Sequence, residues 1–147
     1  MSVIHTNFES KLNEMNIPFN KKEIENGHIL YRFNFRLTTE RALVVEVIIQ
    51  ASKDNYADAQ IIYRHVHLLT DRSKEADAYE LLNSLNEMKT GYYSLYLAGD
   101  GEVFLKTLLR TGEDAEPLYQ TLVMGSGIAK GLQKDLVNVL GESGKAM

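Results

Sequence analysis

The chain reads as an α+β domain, with helices packed on one antiparallel sheet in the order α-β-β-β-α-β-β-α. Three observations predict this. Residues 92–109 carry a tight hairpin signature, two apolar-rich runs flanking Gly99-Asp100-Gly101. Residues 28–37 alternate apolar and polar side chains, the period of a half-buried strand. Three further segments repeat apolar residues at helical spacing.

The first helix is expected from Ile4, Phe8, Leu12 and Met15, which recur every three or four residues. Pro18 ends it, because proline disfavours helical geometry in the residue before it. Asn26-Gly27 is a turn signal, since both residues tolerate positive φ, and it allows a short hairpin from residues 22–25. In the strand over 28–37, Ile29, Tyr31, Phe33, Phe35 and Leu37 form the apolar face. The next strand, 42–50, places Val45, Val47 and Ile49 on one face and Val44, Glu46 and Ile48 on the other. A third strand spans 59–69. Short turns between neighbouring strands favour antiparallel pairing over βαβ units.

The second helix starts near Asp71 or Ser73, either of which can cap it. Ala78, Leu81, Leu82, Leu85 and Met88 form its apolar stripe, and Gly91 ends it. The hairpin follows. The last helix opens with Pro117 in its first turn and stops at Gly141. Gly125, Gly127 and Gly131 lie inside it, each costing about 1 kcal/mol against alanine. Such a cost predicts close approach of another backbone, or a break into two helices.

With 147 residues, the chain is expected to form one domain over 1–147, burying roughly 68–70% of its unfolded surface. A net charge of −4 without a basic cluster argues against nucleic acid as partner. The absence of cysteine removes disulfides, thiol nucleophiles and zinc ribbons, and fits a cytoplasmic setting. The first residues lack a charged stretch followed by an apolar one, so no signal peptide is expected, and no apolar run approaches the ~20 residues that span a bilayer.

Few residues point to chemistry. His65 and His67 stand two apart on a strand, a spacing that turns both imidazoles to one face and suits two ligands of a metal. No third ligand stands at a telling distance, and the favoured reading is a solvated or edge strand face shared with Tyr63. Gly125-Ser-Gly-Ile-Ala-Lys-Gly131 resembles a phosphate loop only superficially. Its lysine precedes the last glycine, and no strand leads into it. Asp100 is explained by its turn. Arg32, Arg36 and Arg64 line the polar face of the sheet, a row that suits either solvent or an acidic partner. No catalytic constellation and no cofactor motif emerges.

The tyrosines carry more. Tyr92 and Tyr96 are expected on one hairpin face with Ser94, and Tyr93, Leu95 and Leu97 on the other. One helix layer covers only one face of a sheet. Tyr92, Tyr96, Phe104 and Leu108 are therefore candidate protein-interface residues, unless the last helix wraps across them.

Residues 79–86, Tyr-Glu-Leu-Leu-Asn-Ser-Leu-Asn, and 93–105, Tyr-Ser-Leu-Tyr-Leu-Ala-Gly-Asp-Gly-Glu-Val-Phe-Leu, resemble the YbjN family of bacterial proteins, which have a type III secretion chaperone-like fold. The resemblance implies a compact α+β domain, often a homodimer, without established enzymatic activity and with a sensory or regulatory role. Asn83 and Asn86 would be structural. The glycine-rich final helix and the Asn26-Gly27 turn depart from the pattern. The expected function is a non-enzymatic, chaperone-like or regulatory protein-binding module. It is expected to act in the cytoplasm on itself or a client, as a homodimer, with no cofactor, nucleic acid or membrane. The alternative is a metal- or phosphate-binding protein or enzyme using His65 and His67 or residues 125–131.

Overall fold

The computed structural model describes residues 2–145. Helix α1 (Val3–Glu14) leads into a short strand β1 (Asn20–Glu23), then β2 (Ile29–Arg36), β3 (Ala42–Ile49) and β4 (Tyr56–Leu68). Helix α2 (Glu75–Met88), the hairpin β5 (Ser94–Leu97) and β6 (Glu102–Gly112), and helices α3 (Glu116–Gly131) and α4 (Gln133–Leu140) complete the chain. The strands form one antiparallel sheet in the order β1-β2-β3-β4-β6-β5. The α+β class stands, with two additions to the expected order.

The first is β1, a sixth strand. Its four residues, Asn-Lys-Lys-Glu, are all exposed and show no apolar alternation. It forms through the turn at Asn26 and Gly27, both at positive φ, which pairs Glu23 with Ile29 and Asn20 with Arg32. Short, charged edge strands of this kind resist unwanted pairing. The second is the break in the last helix. Leu132 separates α3 from α4 immediately after Gly131.

Pairing registers assign the two faces. On one, Phe33, Val45, Tyr63, Leu105 and Leu95 form a continuous rung across five strands, all buried. Tyr31, Val47 and Ile61 form the next. The helices cover this face. Phe8 of α1 meets Tyr31 edge-on at 5.2 Å, and the Tyr31 hydroxyl donates to Glu9 at 2.7 Å. In α3, Leu118, Leu122 and Ala129 are buried, and Gly125 sits against Tyr63. Full burial of each large side chain is worth about 1.5–3 kcal/mol, so this layer holds the fold together.

Helix α2 runs beside β5 and closes its outer edge. Asn86 Oδ1 accepts from the Leu95 amide at 2.7 Å, and Asn86 Nδ2 donates to the Leu95 carbonyl at 3.2 Å. The side-chain amide thus pairs with Leu95 as another strand would. Neither expected residue caps α2, which starts after Lys74 without a side-chain cap; Asp71 instead caps the 3₁₀ turn Arg72–Lys74 just ahead of it, accepting from the Ser73 amide at 3.0 Å.

Candidate functional site

The opposite face of the sheet carries no helix. One rung across it reads Lys22, Leu30, Ile48, Gln60, Leu108. The next reads Asn20, Arg32, Glu46, Ile62, Lys106, Ser94. Asn34, Val44 and Arg64 form a third, and Tyr96 faces Phe104 at the β5 end. Alternation along each strand drives this arrangement, with every odd residue of β2 turned to the core and every even residue turned out.

Three of the four interface candidates lie here. Tyr96 and Phe104 stack nearly parallel, with ring centroids 5.3 Å apart. Tyr96 is 47% exposed and Leu108 is 68% exposed. Leu108 borders a shallow depression of about 560 Å³, shared with Ile24, His28, Ile48 and Gln60. The fourth candidate is placed differently. Tyr92 precedes β5 in a turn that follows Gly91, at φ 61°, so strand alternation does not set its direction. Its carbonyl accepts from the Thr107 hydroxyl at 3.0 Å, and its ring is largely exposed. Tyr93 is buried and edge-on to Tyr63. The last helix does not wrap across the uncovered face, because α3 lies against Tyr63 on the other one.

Ion pairs cross this face. Arg32 binds Glu46 at 2.6 Å, Arg64 binds Glu102 at 2.9 Å, and Arg110 binds Asp58 at 2.9 Å while its guanidinium lies 4.8 Å from the Tyr56 ring centroid. The Asp58 carboxylate raises the Arg110 pKa. The row Arg32, Arg36 and Arg64 is on this face, as its strand positions predict; Lys106, Arg110 and Lys22 extend it. Sequence reading missed these three. Lys106 and Arg110 share the even parity of Phe104 and Leu108, which was their signal; Lys22 had none, because β1 shows no alternation.

His65 and His67 do not share a face. Tyr63 pairs with Leu105 and His67 with Val103, so β4 takes four steps where β6 takes two. His65 sits in this bulge at φ 53°. The extra residues break the two-residue period from which a shared face was expected. His67 faces the core fully buried, and neither ring nitrogen has a partner. Burial, and then the nearby Arg41 charge, hold its pKa down to about 4. His65 stays partly exposed, its Nδ1 3.6 Å from the Glu102 carboxylate. Among the described residues, no group of three His, Cys, Asp or Glu could hold a metal.

Side chains from four segments hold the bulge. The Arg41 guanidinium donates to the His65 and Val66 carbonyls at 3.3 and 3.0 Å, and Gln133 Nε2 also donates to the Val66 carbonyl. Glu102 accepts from the His65 amide at 2.8 Å, and the Ser143 hydroxyl accepts from the Leu68 amide at 2.9 Å. These bonds replace the ladder bonds that the bulge forgoes, which gives Arg41 and Glu102 a structural task.

The glycine segment divides by position. Gly125 is buried against Tyr63, whereas Gly127 and Gly131 face open space. The segment forms a continuous stretch of α3 with no strand before it, unlike a phosphate loop. Asp100 Oδ1 accepts from the Glu102 amide at 3.0 Å, a turn bond. No protein-family model and no curated protein matches the chain.

Proposed function

We propose that this protein is a non-enzymatic protein-binding module, chaperone-like or regulatory in type, that holds another polypeptide against the uncovered face of its sheet. The observation that carries this is the apolar strip of Leu30, Ile48, Ile62 and Leu108, continued by the Tyr96–Phe104 stack, on a face that no helix of the chain covers. Leu108 and Tyr96 are exposed, and Leu30, Ile48, Ile62 and Phe104 are half-buried among polar residues; apolar surface rimmed by polar residues is a common mark of a protein contact. The likeness of residues 79–105 to the YbjN family supports the same reading, and with it a cytoplasmic homodimer. Either a second copy or a client fits such a module.

Light scattering at micromolar concentrations, with Tyr96→Ser and Leu108→Ser variants beside the parent chain, tests the reading. Both positions are exposed, so the variants keep their fold. The expected result is an assembly, or a captured partner, that both substitutions loosen. A strict monomer whose partner binding is indifferent to both contradicts it.

A further inference from the structure

We propose that the occupant of the uncovered sheet face is an acidic polypeptide segment with apolar residues among its carboxylates, an inference that rests on the protein-binding reading above. The chain carries a net charge of −4, yet this face is cationic. Lys22, Arg32, Arg36, Arg64, Lys106 and Arg110 stand on it, against Glu46, Asp58 and Glu102.

Depth sharpens the imbalance. The Glu46 and Glu102 side chains are 17% and 3% exposed, whereas Arg32 and Arg64, which bind them, are 51% and 38% exposed. A partner therefore meets the Arg32 and Arg64 guanidinium groups with these two carboxylates beneath, while the exposed Asp58 is held by the likewise outward Arg110. Lys106 pairs with no carboxylate among the described residues. Ile48, Ile62 and Leu108 run between these cations. A segment whose carboxylates flank apolar side chains answers both features at once.

The other occupants fit less well. Two copies stacked on this face would set guanidinium against guanidinium. A single-stranded nucleic acid supplies negative charge, but its bases stack on aromatic platforms. The central strands offer Val44, Ile48 and Ile62 instead, and Tyr96 and Phe104 lie at one end, stacked on each other.

The test is fluorescence anisotropy on the whole chain. The probe is a labelled peptide of alternating glutamate and leucine, compared with a lysine–leucine peptide of the same length and with an oligothymidine strand. The proposal expects the glutamate peptide to bind and the other two not to. It expects Lys106→Glu combined with Arg110→Glu to weaken that binding by about tenfold or more, added salt to weaken it too, and Lys130→Glu, on exposed α3, to leave it unchanged. Circular dichroism checks that each variant stays folded. Equal binding of the lysine peptide, tighter binding of oligothymidine, failure of the parent chain to bind the glutamate peptide, or indifference to the charge reversal overturns it. A dimer that Leu108→Ser dissociates, with no competition from the glutamate peptide, makes the occupant a second copy and also overturns it. Loss of partner binding in Leu108→Ser but not in the charge-reversed variant removes the acidic partner and leaves the protein-binding reading standing. Indifference to both removes the two together.

Discussion

Tyr63 occupies the space that a side chain at Gly125 would need. A Cβ built at position 125 overlaps the end of the Tyr63 ring. With only hydrogen there, the Tyr63 hydroxyl reaches the Thr121 and Leu122 carbonyls at 3.0 and 2.9 Å, and Tyr93 also donates to the Thr121 carbonyl. Tyr63 of β4 and Tyr93, just ahead of β5, are thereby both bonded to the backbone of α3. This contact fixes α3 to the covered face and so leaves the opposite face without a helix.

Alanine at the two helical glycines should act with opposite signs. Gly125→Ala should destabilise by about 2 kcal/mol, because overpacking a filled site costs about 1–3 kcal/mol or more and outweighs the gain of helix propensity. Gly127→Ala meets no neighbour and should stabilise by about 0.5–1 kcal/mol. Urea unfolding of both variants decides this. Changes of the same sign would remove the contact from the account.

The buried His67 ring should make stability depend on pH. The unfolded chain takes up this proton near pH 6.5, and the folded chain only near pH 4. Between those values the unfolded state binds more protons, so stability falls as pH drops through that window, by up to roughly 3 kcal/mol at its lower end. Burial lowers the His5 pKa as well, adding to the same slope. The carboxylates of Glu9, Asp71 and Glu116 also have lowered pKa values; their contributions begin to be lost only at the acid end of this window, as pH falls through their unfolded values. Denaturant melts at steps from pH 7 to 4 should show the loss, and His67→Leu should flatten it. An unchanged slope in that variant would assign the effect elsewhere.

How far the fold could be read in advance follows from the same residues. The strand over Ile29–Arg36 was legible because its burial alternates without interruption. β1 was not, since four exposed polar residues carry no period and only the Asn26-Gly27 turn announced it. The β4 bulge was illegible for a related reason: two extra residues leave composition and the parity of Tyr63 and His67 unchanged and displace only the residues between them, which is why His65 and His67 looked like a pair. Gly125 shares the helical stripe of Leu118, Leu122 and Ala129, which sets it apart from Gly127 and Gly131 in the sequence; that the Tyr63 ring meets it there was not legible. The interface candidates Tyr96, Phe104 and Leu108 were legible from strand parity. Tyr92 was not, because it lies before the strand begins.

Asn86 should matter more than an isolated polar residue on a helix. Asn86→Ala strips the Leu95 amide and carbonyl of their partner at the sheet edge, at a cost of about 1–2 kcal/mol. Amide exchange at Leu95 should accelerate, and an opened edge should favour aggregation. Exchange at Leu95 as slow as in the parent chain would show that the cap is dispensable.

Site-directed photocrosslinking in the native host tests the central claim most directly. A photoreactive residue at exposed Leu108, on the uncovered sheet face, is compared with one at Met88, which is at least as exposed at the end of α2. Discrete protein adducts from position 108 and none from position 88 are predicted. Adducts from 88 alone, or none from 108, would contradict a sheet face built to bind protein.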